Sequence, residues 1–225
     1  MAQHLDLEEQ EQLDQLKHFW AKYGNAITWL LVLVLGGFAA WNGWQYWQRK
    51  TAVEAAALYE ELDRAVQASQ TERVQRVWAD LQGNAGRSAQ AAQGGLLVAK
   101  ALHDAGKTDD ARAALRFVVE QAADPATVAV ARLRLAGLEL QAQDPAQALK
   151  WLDAEWPAAF AGLAADRRGD ALLAQNDRAA ARTAYQAAYA ALAPQQDYRR
   201  LVEAKLNALG VNPAVEPSSA PEVTP

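Results

Sequence analysis

The longest apolar run of the chain lies near its N-terminus. No Asp, Glu, Lys or Arg occurs between Tyr23 and Gln48, and the stretch from Ile27 to Trp41 is almost continuously apolar. A helix needs about 20 such residues to cross the hydrocarbon core of a bilayer. The pattern therefore predicts a membrane-spanning helix over residues 23–48.

Aromatic side chains flank this run at both ends, and a basic pair follows it. Tyr23 and Trp44 are 21 residues apart, which is about 31 Å of helix and matches the roughly 30 Å hydrocarbon thickness. Trp and Tyr concentrate at the membrane–water interface. A lipid bilayer is thus a predicted partner, with these residues at its interfaces: Trp20, Tyr23, Trp29, Trp41, Trp44, Tyr46, Trp47, Arg49 and Lys50.

A cleaved signal peptide and a buried core helix are the two alternatives to a retained anchor. A signal peptide begins with a basic region, whereas five acidic residues and only Lys17 and Lys22 precede this run. A core helix gives no reason for aromatic residues to collect at both ends. We therefore expect the anchor to be retained.

The orientation of the anchor does not follow from the basic residues beside it. Lys17 and Lys22 lie on one side, and Arg49 and Lys50 lie on the other, so the positive-inside rule gives a tie. The first 22 residues form a short acidic arm with apolar residues at helical spacing, which does not resemble a translocated domain. This arm favours an N-terminus in the cytosol.

Beyond residue 50, apolar positions recur with the 3.6-residue period of amphipathic helices. Asp before Pro occurs twice and is typical of a helix start, with Asp as N-cap and Pro as first helical residue. The sequence therefore predicts short helices joined by turns. The turns are expected at Ser69–Thr71, Gly83–Gly86, Gly106–Asp109, Asp124-Pro125, Asp144-Pro145, Trp156-Pro157, Asn176-Asp177 and Pro194.

Three of these turns suggest a structural repeat. Gly106, Gln143 and Asn176 are separated by 37 and 33 residues, close to the 34-residue period of tetratricopeptide repeats. Small and large residues recur at fixed distances from them, as close packing of paired helices requires. A generic alanine-rich helical bundle is the alternative. The predicted packing residues are Ala99, Ala111, Leu115, Ala136, Ala148, Leu152, Gly169, Ala181 and Tyr185.

The predicted fold is all-α, with one N-terminal transmembrane helix followed by a tetratricopeptide-like helical-repeat solenoid. A closing helix over Tyr198–Leu209 is expected to expose Arg199, Arg200, Glu203 and Lys205 on its outer side. The expected divisions are a cytoplasmic amphipathic arm (1–22), the transmembrane helix (23–48), a linking helix pair (49–87), the repeats (88–210) and a disordered Pro-rich tail (211–225).

Composition and charge argue against several function classes. The formal net charge of −5 makes nucleic acid a poor partner. The chain has no Cys, and its three His residues do not cluster, so neither a metal site nor a cofactor is expected. Gly106-Lys107-Thr108 lacks the first glycine and the preceding strand of a phosphate-binding loop. We predict no catalytic residue and no enzymatic activity.

Two further segments each allow two interpretations. The run Asp166-Arg167-Arg168-Gly169-Asp170 is either a partner-binding patch or an ordinary solvated helix face. The pair Gly94-Gly95 lies inside a predicted helix, where each glycine costs about 1 kcal/mol relative to alanine. Either close helix packing or a hinge between the first helix pair and the main array would account for this pair.

Several short strings, in order and at characteristic distances from the anchor, resemble the YfgM family, the ancillary subunits of the bacterial SecYEG translocon. The resemblance covers approximately residues 10–209 and does not include the Pro-rich tail. The strings are Gly43-Trp44-Gln45-Tyr46-Trp47, Arg132-Leu133-Arg134-Leu135-Ala136, Asp166-Arg167-Arg168-Gly169-Asp170-Ala171-Leu172-Leu173 and Lys205-Leu206-Asn207.

The resemblance implies a bacterial inner-membrane protein with a cytoplasmic N-terminus and a periplasmic C-terminal domain. It also implies two protein partners, the SecYEG translocon and a membrane-anchored chaperone of the PpiD type. The implied role is to help hand exported proteins to periplasmic chaperones. An anchored helical-repeat scaffold for envelope, pilus or outer-membrane assembly is the alternative, because tetratricopeptide grooves bind many unrelated ligands.

Overall fold

The computed structural model describes residues 7–213, with side chains from Gln12 onward. Most of the predicted disordered tail, residues 214–225, lies outside the described residues. Within residues 7–213 there are nine α-helices and no strand, so the predicted all-α class is confirmed. The helices are α1 (Leu7–Gln67), α2 (Thr71–Ala85), α3 (Ala89–Asp104), α4 (Thr108–Gln121), α5 (Pro125–Gln141), α6 (Pro145–Leu152), α7 (Ala158–Ala174), α8 (Arg178–Ala191) and α9 (Asp197–Ala208).

Helix α1 is continuous over 61 residues, from Leu7 to Gln67. Residues 7–22 of the expected arm, the apolar run and the first helix of the expected linking pair are therefore parts of one helix, and residues 1–6 of the arm lie outside the described residues. This helix contains a stretch that is long and apolar enough to cross a membrane. The chain divides into two compact units, Met1–Val53 and Glu54–Pro225, so the division falls inside α1.

The starts of several helices follow from local side-chain chemistry. Asp124 accepts hydrogen bonds from the backbone N–H groups of Ala126 and Thr127, and Pro125 occupies the first turn of α5. Asp144 and Asp177 cap α6 and α8, and each accepts a hydrogen bond from one backbone N–H group. Hydrogen bonds from the Thr127 hydroxyl and backbone lower the pKa of Asp124 below its usual value. Such caps stabilise a helix start, because they satisfy N–H groups that have no partner within the helix.

The ends of the odd-numbered helices share one turn geometry. A residue with positive φ lies two positions after the end of each helix, and the next N–H donates to a carbonyl five residues earlier, as Lys107 N does to Leu102 O at 2.8 Å. The predicted turns at Gly106, Gln143 and Asn176 are confirmed. The full set, Ser69, Gly106, Gln143, Asn176 and Gly210, is spaced by 37, 37, 33 and 34 residues.

We expect the substitution Gln143→Gly to stabilise the protein by about 0.5–1 kcal/mol. Gln143 has φ +60°, and a left-handed conformation costs a non-glycine residue roughly 1–2 kcal/mol, of which the greater freedom of glycine in the unfolded chain cancels part. Gln141→Gly, at the helical end of α5, is the matched control and should destabilise. Urea unfolding of the segment from Glu54 onward measures the stability of both variants. If both variants, or neither of them, were more stable than the wild type, this interpretation would be contradicted.

The pair Gly94-Gly95 allows close contact between helices. A Cβ atom built at Gly94 would lie 2.8 Å from Leu81 Cδ2, and one built at Gly95 would overlap Val118 Cγ2. Both glycines are buried, and α3 runs through them without interruption. Close packing therefore accounts for these glycines, and a hinge is not needed to explain them.

Candidate functional site

The predicted interface residues all lie on α1 and are all exposed. The fractional exposure of the Trp and Tyr side chains in this set ranges from 45% at Tyr23 to 73% at Tyr46. Arg49 and Lys50 follow them and are also exposed. An aqueous protein rarely exposes so many large apolar side chains together. This exposure is what a helix surrounded by lipid requires.

The nine predicted packing residues are all buried. They lie on α3 to α8, three in each helix pair, with one on the first helix of the pair and two on the second. Gly169 of α7 makes a close contact, because a Cβ atom built there would overlap the ring of Tyr185 on α8. Tyr185 is itself 1% exposed. The α7–α8 pair thus depends on a glycine facing a large aromatic ring.

Lys205 does not lie on the outer side of the closing helix, and that expectation is wrong. Its ammonium group points inward and donates to both Asp166 oxygens, at 2.8 and 2.9 Å, and to Asp170 Oδ1 at 2.7 Å. Asp166 is fully buried. A lone buried carboxylate is very costly, so the paired carboxylates of α7 bring the cation of α9 inward.

Two tyrosine hydroxyls complete this network. Tyr198 donates to Asp166 Oδ2 at 2.6 Å, and Tyr185 donates to Asp170 Oδ1 at 2.8 Å. The network of Asp166, Asp170, Tyr185, Tyr198 and Lys205 therefore joins α7, α8 and α9. Burial, together with the adjacent carboxylates, raises the pKa of both tyrosines well above the usual value. Asp166 and Asp170 are therefore neither a partner-binding patch nor part of a solvated helix face, because they join α7 to α8 and α9.

The raised tyrosine pKa values predict an alkaline loss of stability. An unfolded tyrosine ionises near pH 10, whereas Tyr185 and Tyr198 stay protonated at that pH in the folded protein. Their contribution is therefore complete below pH 10 and falls above it, by up to about 1.4 kcal/mol per pH unit for each tyrosine. We expect the double variant Tyr185→Phe/Tyr198→Phe to show a smaller loss between pH 9 and 11 in urea unfolding. An identical pH dependence in both proteins would contradict this assignment.

Glu139 is a charged residue at a position where repeats usually have an apolar one. It is 5% exposed, and its Oε2 lies 3.2 Å from Nε of Arg112 on α4. Arg112 also contacts Asp109 at 2.7 Å. The buried carboxylate of Glu139 on α5 is thus paired with the guanidinium of Arg112 on α4, so the packing of these two helices can accommodate its charge.

The first helices of three successive pairs, α3, α5 and α7, line a groove of about 790 Å³. Its floor is apolar and contains Leu133, Leu138 and Leu140 of α5, together with Leu115 of α4. Short helix pairs that stack in one direction produce such a concave face, which repeat proteins use to bind partners. This groove is the candidate functional site.

The charged residues of the groove are mostly basic. Lys100, Arg134 and Arg167 line it, together with the single carboxylate of Asp170. Lys205 already pairs with that carboxylate from the other side. Arg134 Nη1 donates to the Leu96 carbonyl at 2.8 Å, which holds its guanidinium against α3. A chain with net charge −5 thus concentrates positive charge along one apolar groove.

The sequence contained a signal for part of this groove. Arg134 and Arg167 both lie nine residues before a positive-φ turn residue, Gln143 and Asn176 respectively. Equivalent positions of neighbouring repeats project from the same face. Within residues 7–213, no group of three His, Cys, Asp or Glu residues is placed to hold a metal ion.

Residues 17–211 match the family described as "Tetratricopeptide repeat-like domain". A protein of Neisseria gonorrhoeae named "Ancillary SecYEG translocon subunit" is 30% identical over 93% of this chain and 100% of its own length. The chain belongs to the ancillary SecYEG translocon subunit family. The resemblance seen in the sequence strings is therefore confirmed.

Two further ancillary SecYEG translocon subunits are similar to this chain. The protein of Escherichia coli K12 is 28% identical over 80% of this chain and 86% of its own length. The protein of Haemophilus influenzae is 27% identical over 81% of this chain and 89% of its own length. No solved structure is significantly similar to the chain. The family assignment therefore rests on sequence.

Proposed function

We propose that this chain is a membrane-anchored, non-catalytic scaffold associated with the SecYEG translocon in the bacterial inner membrane. Family membership carries this proposal, since three relatives over most of the chain bear the translocon subunit name. The apolar, aromatic-flanked part of α1 supports the anchor. The groove along α3, α5 and α7 supports a role in binding partners instead of transforming a substrate.

The proposed topology places residues 1–22 in the cytosol, residues 23–48 in the membrane and the helix pairs from residue 49 onward in the periplasm. In this arrangement the repeats stand near the exit of the channel. An anchored domain meets an emerging chain at a high effective concentration. The scaffold then helps hand exported proteins to periplasmic chaperones, with a chaperone of the PpiD type as a second partner.

Single-cysteine labelling tests this topology directly, because the chain has no cysteine of its own. Gln15 on the arm and Ala187 on α8 are both exposed and suit the variants Gln15→Cys and Ala187→Cys. A membrane-impermeant maleimide added to spheroplasts should label Ala187→Cys and leave Gln15→Cys unlabelled until the cells are lysed. Labelling of Gln15→Cys alone before lysis would reverse the proposed topology.

A further inference from the structure

The charged rim of the groove points to the chemistry of its ligand. We propose that the groove binds a segment of a partner protein in which Asp or Glu side chains alternate with large apolar side chains. This inference deepens the proposed function and rests on it, because a scaffold needs a surface that recognises its partners. It is carried by the position of three cations above an apolar floor.

Arg134 and Arg167 are the main carboxylate contacts that we infer. A guanidinium has five N–H donors in a planar fork that matches a carboxylate. Arg134 uses one donor on the Leu96 carbonyl, so others remain for a ligand. In the part of the chain that the structure describes, no carboxylate oxygen forms an ion pair with Arg167. The two side chains come from neighbouring helices, α5 and α7, and line the same groove.

Lys100 adds a third cation, and its ion pair with Asp104 is exposed to solvent. It pairs with Asp104 at 2.5 Å, one helical turn away on α3, and both side chains are more than half exposed. Exposed pairs of this kind contribute little to stability. A carboxylate in the groove can therefore share or replace Asp104 at little cost.

The apolar floor of the groove favours a ligand that has large apolar side chains. Leu133 and Leu140 of α5 are only partly covered by the protein's own residues and line the same groove as Arg134. Covering them with a ligand's apolar side chains removes them from water, which favours binding. Three neighbouring helices at 8–10 Å separation span roughly 20 Å, which about six extended residues cover.

Fluorescence anisotropy with the full chain in lipid nanodiscs tests this inference. The probe is a labelled twelve-residue peptide of Glu, Leu and Ala, blocked at both ends, and empty nanodiscs give the background. Matched peptides carry Gln or Lys in place of Glu, or Ala in place of Leu. We expect the Glu peptide to bind at least tenfold more tightly than the Gln and Ala versions. Equal binding of the Glu and Gln peptides would overturn the inference.

Charge reversal in the groove provides the decisive comparison. The double variant Arg134→Glu/Arg167→Glu should lose the Glu peptide and gain the Lys peptide, a gain that an unfolded protein cannot produce. Arg76→Glu/Arg200→Glu changes the net charge equally at exposed positions outside the groove and should keep the preference for Glu. If both double variants, or neither of them, came to prefer the Lys peptide over the Glu peptide, a binding site in the groove would be contradicted. No translocon is present, so this outcome is independent of the topology test.

Discussion

Replacing Lys205 with methionine is expected to destabilise the helical array by about 3–5 kcal/mol. The ammonium group is the cation that both Asp166 and Asp170 contact, at 2.7–2.9 Å. Removing one partner of a buried ion pair leaves the other charge uncompensated, which is the costly case. Methionine keeps most of the side-chain volume, so the loss reports the charge and not a cavity.

Urea unfolding of the segment from Glu54 onward measures this effect. Lys150→Met on the exposed face of α6 is the matched control and should change the free energy of unfolding by no more than about 0.5 kcal/mol. In an Asp166→Asn background, Lys205→Met should cost clearly less, because residues in one network are not additive. Equal costs in the two backgrounds would contradict the proposed coupling of Lys205 to Asp166.

The second large effect is expected at Gly169, where substitution by alanine should destabilise by about 3 kcal/mol. The new methyl group would overlap the Tyr185 ring. This ring is buried and tethered to Asp170 by its hydroxyl, so it has little freedom to move away. Overpacking a well-ordered core costs typically 1–3 kcal/mol and occasionally more.

Gly137→Ala is the matched control for Gly169→Ala. Gly137 lies in the interior of α5, and a Cβ atom there would meet only Arg167 Nη1, at 3.8 Å. Alanine is favoured over glycine in a helix by about 1 kcal/mol, so this variant should be more stable than the wild type. Thermal unfolding of both variants should give opposite shifts. Destabilisation of similar size in both would mean that the α7–α8 contact is not specially close.

The turns could be predicted from sequence because they depend on nearby residues. Asp-Pro starts a helix by capping, and this chemistry needs no tertiary contact. The repeated spacing of Gly106, Gln143 and Asn176 then defined the register. Ser69 follows the end of α1 with the same geometry at φ +54° and lies 37 residues before Gly106. The predicted register leaves it out, because residues 49–87 were expected to form a linking pair outside the repeats.

The inward position of Lys205 could not be predicted from its own helix. Lysine is usually exposed, and only the carboxylates of α7 turn it inward. A signal was nevertheless present, since Asp166 lies three residues before Gly169. Residues at that spacing share one helix face, and Gly169 was expected on the buried face. A buried acidic residue requires a cation or hydroxyl partner, and those partners come from α8 and α9.

Photocrosslinking in native membranes tests the central claim, that this chain is a scaffold at the translocon. A photoreactive residue at Leu33 in the apolar part of α1, or at Val53 beyond its aromatic flank, is exposed for contact. We expect crosslinked SecY, with a PpiD-type chaperone recovered in the same membrane complex. Recovery of an envelope, pilus or outer-membrane assembly complex from both positions, without any translocon component, would contradict the account.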